Sequence, residues 1–277
     1  MRTVTLHSGE TVPALGQGTW QMGERQRDYA SEVLALRLGL DLGLTLIDTA
    51  EIYADGGAEQ VVAEAIAGRR DQVFLVTKIH PGNATGGGTI EACERSLKRL
   101  RTDRIDLYLL HWRATTPIEE TLDAFGRLID AGKIRYFGVS NFGARDLEEL
   151  WATPGGAHAA TNQVLYNPGR RGIEWDLLPW CRSHEIPIMA YTPLEQGRLQ
   201  NNKALHRMAK RMGVTPLQIA LAWVLRDDNV IAIPKAGDPE HVRANQAALE
   251  LELQSQDFVE LDRAFPPPTG PTALEML

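Results

Sequence analysis

Eight times along the chain a short apolar run is followed by a longer stretch with one apolar face, and no other feature constrains the fold as tightly. The runs at 14–18, 46–48, 73–78, 105–111, 136–140, 161–165, 187–191 and 230–234 read as strands. Near-continuous apolar strands belong to a parallel sheet buried on both faces. The intervening stretches 29–42, 58–67, 89–100, 118–131, 144–150, 175–183, 203–212 and 239–248 read as helices. In 89–100, for example, Ile90, Cys93, Leu97 and Leu100 recur at helical spacing while Glu91, Glu94, Arg95 and Lys98 face water. Dividing 277 residues by eight gives about 35 per unit, the length of one strand and its return helix. The pattern predicts an α/β fold, a closed (β/α)8 TIM barrel. Residues 4–6 and 11–12 flank the turn-rich His7-Ser8-Gly9-Glu10 and predict an N-terminal β-hairpin that plugs the barrel's N-terminal end. Thr215 and Pro216 are the N-cap and first residue of a helix over 216–224. A final helix is predicted over 255–264, before a proline-rich tail, 266–277, that lies over a surface. No linker rich in Pro, Gly or Ser divides the chain, so residues 1–277 read as one domain.

The 29 Lys+Arg against 36 Asp+Glu leave a formal charge of −7, which argues against nucleic acid or an anionic membrane as partner. Cys93 and Cys181 lie in no CxxC or Cys/His cluster and read as reduced structural thiols. The first residues lack the apolar core of a signal peptide, and no stretch reaches the length of a membrane span. The expectation is a cytoplasmic protein, a monomer or weak oligomer, since no conspicuous apolar stripe is left over.

Reactive side chains of a closed barrel sit where strands end and βα loops begin. Asp48 ends the second strand, Tyr53 follows in the loop, Lys78 ends the third and His111 the fourth. Taken singly, each has a plainer role as a cap, a core edge or a solvated strand end. Together they place a carboxylate, a phenol, an ammonium and an imidazole on one rim. Burying Asp48 and Lys78 unpaired is costly, so the two are expected to pair. The ammonium is expected to lower the phenol's pKa and make Tyr53 a usable proton donor, with His111 orienting a carbonyl oxygen. No HExxH, GxSxG or metal-ligand cluster is present, so no metal is expected and the electrons must come from a bound hydride donor.

The stretches Gly16-Gln17-Gly18-Thr19-Trp20, Leu46-Ile47-Asp48-Thr49-Ala50-Glu51-Ile52-Tyr53, Val76-Thr77-Lys78 and Asp106-Leu107-Tyr108-Leu109-Leu110-His111-Trp112 form an ordered series. It continues through Gly132-Lys133-Ile134-Arg135, Gly138-Val139-Ser140-Asn141-Phe142, Asn162-Gln163, Ala190-Tyr191-Thr192-Pro193-Leu194 and Ile233-Pro234-Lys235. In these motifs the sequence resembles the aldo-keto reductase family over essentially its whole length. The resemblance implies an NAD(P)H-dependent carbonyl reductase of aldehydes, dicarbonyls or ketones on a (β/α)8 barrel. It makes Tyr53 the general acid, tuned by Lys78 and Asp48, with His111 positioning the substrate oxygen. It also implies that Ser140, Asn141 and Gln163 hold the nicotinamide carboxamide, that Tyr191 stacks on the ring, and that Gly18, Thr19 and Trp20 border the cofactor. Trp20 and Trp112 resemble walls of the substrate pocket.

Gly86-Gly87-Gly88 is followed by no GK[ST] and reads as a flexible loop capped by Thr89 rather than a phosphate loop. The phosphates are better placed after the last two strands, where Thr192, Leu194 and Gln196 border the pyrophosphate and Lys235 meets an adenosine 2′-phosphate. Many NADPH-preferring members carry Ser and Arg where this chain has Ala236 and His241; Asn245, one turn later, is as expected. Histidine is mostly neutral at pH 7 and attracts phosphate less than arginine. NADPH is therefore the expected cofactor, with NADH also usable and the preference rising as pH falls. Short lids favour small aldehydes and dicarbonyls as substrates. The alternative from another class is a cofactor-binding sensor with little turnover, since fold alone does not fix function.

Overall fold

The structure is a computed structural model that describes residues 2–277. Strands β1 (Thr3–Thr5) and β2 (Thr11–Pro13) form the antiparallel hairpin. Val4, Leu6 and Val12 are buried, and the His7 N–H donates to Ala160 O at 3.3 Å. The hairpin therefore closes the end where the barrel strands begin.

Eight parallel strands follow: β3 (Gln17–Gly18), β4 (Leu46–Asp48), β5 (Phe74–Ile79), β6 (Ile105–Leu110), β7 (Ile134–Ser140), β8 (Asn162–Leu165), β9 (Ile188–Tyr191) and β10 (Val230–Ala232), paired in sequence order. Single parallel bridges, Leu15 with Ala232 and Gly18 with Lys235, join the last strand to the first. The Gly16 N–H donates to Ala232 O at 2.8 Å, and the Ala232 N–H to Ala14 O at 2.8 Å. These bonds close the barrel. Both seam strands are shorter than the sequence predicts (14–18 and 230–234), and β10 stops before Pro234, which has no N–H to give a ladder. Backbones also approach closely there. A Cβ on Gly18 would lie 2.6 Å from Ile233 O, so only glycine fits.

Outside the strands lie α1 (Tyr29–Asp41), α2 (Gly57–Ala65), α3 (Gly86–Leu100), α4 (Ile118–Asp130), α5 (Ala144–Ala152), α6 (Leu177–Ser183), α7 (Lys203–Met212), α8 (Pro216–Val224), α9 (Pro239–Ala247) and α10 (Ser255–Ala264). Thr215 and Gln218 form a reciprocal capping box ahead of α8, each accepting the other's N–H. One sequence reading needs correction. The three glycines 86–88 are the first turn of α3, not a flexible loop, and the cap is Thr85 rather than Thr89. Thr85 Oγ1 accepts from the Gly88 N–H at 3.1 Å. Glycine costs about 1 kcal/mol per helical position relative to alanine, but a cap and the buried face of Ala92, Cys93, Leu97 and Leu100 outweigh it. Both cysteines are free and buried, and burial pushes each thiol up to about 12. They are packing groups rather than nucleophiles. Beyond α10 the tail crosses the loops after β7 and β8, with Thr272–Glu275 against Gly143, Ala144 and Arg170.

Candidate active site

Register places the first three groups. Asp48 pairs with Val76 and Lys78 with Leu109, and side chains two apart on a strand share a face. Asp48, Lys78 and His111 therefore step up one side of the barrel wall. The His111 N–H extends the ladder by donating to Ile79 O at 3.0 Å. Tyr53 arrives from the turn after β4, which Ala54 and Asp55 make tight with φ of 50° and 51°.

The expected pairing of Lys78 and Asp48 is present. Lys78 Nζ donates to Asp48 Oδ2 at 2.8 Å, to Thr49 O at 2.8 Å and to the Tyr53 hydroxyl oxygen at 3.2 Å. The ammonium is fully buried with three acceptors around it. Asp48 Oδ1 accepts from Gln163 Nε2 at 2.7 Å, so both its oxygens are engaged. Because Tyr53 accepts from Lys78, its own hydroxyl proton is left to be given elsewhere. The His111 ring stands 5.8 Å from the Tyr53 ring at 74°. Trp112 lies 4.9 Å from His111 and 5.1 Å from His80 on its other side. Tyr53, His111, Trp112 and His80 thus form one arc of rings.

The electrostatics differ from the sequence expectation at one point. Burial opposes the charge of Lys78, yet Asp48 and Tyr53 together hold its pKa above the ordinary value. The phenol of Tyr53 is not acidified: burial raises its pKa, and Lys78, the largest opposing influence, lowers it by less. Desolvation of the buried phenol is the main cause, and the carboxylate of Asp48, 2.8 Å from the ammonium, adds to it. Tyr53 therefore keeps its proton across neutral pH. Burial, with Lys78 and His80 adding to it, pushes His111 down to about 2, so its imidazole is neutral. Its Nδ1 is buried without a hydrogen-bond partner.

The residues expected around a cofactor fall into two groups. Next to the four lie Ser140, Asn141, Gln163 and Tyr191. Ser140 Oγ donates to Gln163 O at 2.9 Å, Asn141 Nδ2 to His111 O at 3.1 Å, and the Tyr191 hydroxyl to Asn141 Oδ1 at 3.0 Å. Gly18 is in the barrel seam, and buried Thr19 donates to Asp48 O at 3.0 Å. Trp20 stands at the rim, 41% exposed and outside the arc of rings that contains Trp112. The second group is on the opposite part of the rim. After β9, Thr192, Glu195 and Gln196 adopt φ of 50°, 48° and 54°, followed by Gly197 at 81°. The N–H groups of Thr192 and Leu194 donate to nothing among the described residues. Runs of such residues aim amides into a concavity that suits an anion. Lys235 and His241 are exposed, Ala236 is buried and Asn245 is half-buried.

Sequence reasoning missed several supporting groups. Glu51 Oε1 accepts from the His80 N–H at 2.7 Å and from Asn83 Nδ2 at 3.0 Å, tying the Tyr53 loop to the loop after β5. Its place between Asp48 and Tyr53 was the available signal. Asn167, Arg170 and Glu195 also converge, but they are separated in sequence and carry no motif. No cluster of three or more His, Cys, Asp or Glu fit for a metal occurs among the described residues. Nor is any helix among them long and apolar enough to cross a membrane.

Fold and site together define a class: a (β/α)8 barrel that buries a phenol against an ion pair at the ends of its strands. Comparison with known proteins makes this specific. Residues 14–265 match the model of the aldo/keto reductase family, and the chain belongs to that family. It is 54% identical over 272 residues to methylglyoxal reductase YeaE of Escherichia coli K12, with 96% of each chain covered. The crystal structure of an aldo/keto reductase from Klebsiella pneumoniae in complex with NADP and acetate superposes with a TM-score of 0.98 at 50% identity, covering 100% of this chain and 99% of that one. A glyoxal reductase of Bacillus subtilis is 31% identical over 260 residues, covering 94% of this chain and 91% of its own.

Proposed function

We propose that the chain reduces small aldehydes and 1,2-dicarbonyls to alcohols with NADPH, Tyr53 giving the proton and the whole chain acting as one domain. The carrying observation is the Tyr53 hydroxyl 3.2 Å from Lys78 Nζ, itself 2.8 Å from Asp48. The kinship with methylglyoxal and glyoxal reductases and with an NADP-bound neighbour supports the substrate class and cofactor. A bound nicotinamide supplies the hydride. Gln163 and the Tyr191 ring would hold that ring: Gln163 spends its Nε2 on Asp48 and keeps Oε1 to accept from a carboxamide. The free amides of Thr192 and Leu194 suit the pyrophosphate.

The proton chemistry follows from the side chains. Tyr53 gives its proton to the carbonyl oxygen, and Lys78, which stays charged, stabilises the phenolate left behind. His111 serves as a second donor. A proton on its buried Nδ1 would be an unpaired donor, so the favoured tautomer carries it on Nε2, free for the substrate oxygen. Trp112, half-buried beside His111, gives the pocket an apolar wall.

The test is a steady-state panel of short aldehydes, dicarbonyls, ketones and sugars with NADPH and NADH in parallel, beside Tyr53→Phe. Small dicarbonyls with NADPH are expected to give the highest kcat/KM. Tyr53→Phe is expected to keep NADPH binding while kcat falls by about 10²–10⁴. Full activity in that variant sinks the reading.

A further inference from the structure

The loop after β9 is held by residues outside it. Glu195, buried at 8% exposure, accepts from Asn167 Nδ2 at 2.8 Å through Oε2. Its Oε1 accepts from Arg170 Nη2 at 3.1 Å and Nε at 3.3 Å, and from Arg198 Nη2 at 3.3 Å. Asn167 Nδ2 also donates to Thr192 O at 3.0 Å. Two residues from the loop after β8 therefore hold the first residue and the middle of a segment with four left-handed residues among six. Such backbone persists only where its surroundings over-determine it.

Arg170 has a second partner. Its Nη1 donates at 2.5 Å to Glu275 Oε1, in the tail that crosses this face. The same tail also presses on Gly172, where a Cβ would come within 2.4 Å of Thr272 Oγ1. One guanidinium thus joins the C-terminal strap to the loop whose free amides are read above as the pyrophosphate cradle.

We infer that Arg170 is a positioning residue that couples the C-terminal strap to the cofactor loop: the strap's ion pair orients Arg170, Arg170 orients Glu195, and Glu195 holds residues 192–197 in their strained form. The inference rests on the proposed NADPH site and adds to it a control on cofactor release. Opening of the strap weakens the loop's hold, so NADPH leaves faster when Glu275 lets go.

The experiment is NADPH binding and release by the full-length chain, followed by quenching of tryptophan fluorescence at equilibrium and in stopped flow. Glu275→Gln alters only an exposed side chain and removes the charge; an exposed pair of this kind supports a change of up to about 5-fold, and release is expected to quicken 2- to 5-fold. Arg170→Ala also strips the buried Glu195 of its main cation, and is expected to raise the NADPH Kd about 10-fold or more. Arg170→Lys recovers part of that loss. Because the tail acts through Arg170, the double variant behaves like Arg170→Ala alone. Unchanged release in Glu275→Gln, or effects that multiply in the double variant, overturns the coupling while leaving the NADPH site standing. A wild-type chain whose fluorescence NADPH does not change overturns both.

Discussion

The two sides of the barrel's rim are built on opposite principles. On the side of β4, β5 and β6, the charges of Asp48 and Lys78 are buried and fully partnered on regular strands, and Tyr53 reaches them from a single tight turn. On the side of β9 and β10, the backbone is strained, the cations are exposed and the supports come from neighbouring loops. The difference teaches how the two tasks are divided. The proposed proton donation needs groups fixed to within fractions of an ångström, and the strand-borne Lys78 and Asp48 hold the phenol that the turn brings in. A large cofactor that must enter and leave needs a surface that can yield, and low local stability is a property of such loops.

The comparison is broken most severely by removing the buried cation. Lys78→Met leaves Asp48 charged in the core; loss of one partner of a buried pair costs about 3–5 kcal/mol. Urea unfolding is expected to show that loss, with activity lost too. A variant of wild-type stability would mean that Asp48 takes up a proton and that the pair is not the foundation of this side.

A smaller effect comes from His111. Its folded pKa, near 2, lies below the unfolded value of about 6.5. Below pH 6.5 the unfolded chain therefore binds a proton that the folded chain refuses. Stability is therefore expected to drop as the pH is lowered below 6.5, by up to about 1.4 kcal/mol per pH unit on this account. His111→Gln is expected to flatten that part of the curve between pH 6.5 and 5. The wild-type kcat/KM should show no inflection from His111 in the same range. An inflection that His111→Gln abolishes would mean that the imidazole is charged in the working enzyme.

The smallest effect sharpens the contrast from the other side. Gln196 is exposed at φ 54°. Gln196→Gly relieves strain of about 1–3 kcal/mol and adds about 0.5–1 kcal/mol of unfolded-chain entropy. Its net effect is expected to be a gain near 1 kcal/mol with looser NADPH binding, seen as a higher Tm and a larger Kd. A lower Tm would show that the loop's strain is not stored in its backbone.

Much of the first side was legible in the chain itself. Strands end where apolar runs end, so Asp48, Lys78 and His111 stood at a rim before any coordinate was known, and desolvation required Asp48 and Lys78 to meet. The acidity of Tyr53 was misjudged from sequence because the depth of its burial, which outweighs the ammonium beside it, is set by the closed barrel and not by the strand-end pattern. Gly86, Gly87 and Gly88 were misjudged because propensity is a weak prior beside a cap and a buried face. The second side was hardly legible. Arg170, Glu195 and Glu275 are far apart in sequence, and an ion pair between loops leaves no periodic trace.

The sequence by itself determined the alternation of strand and helix, and with it the barrel, because burial on two faces dictates which residues are apolar and at what period. It also determined which ionisable groups stand at the strand ends. Only the tertiary structure decided their protonation and which loops hold one another. Those depend on distances of a few ångströms across the closed barrel, where the register of β4 on β5 and β5 on β6 and the path of the tail set every contact.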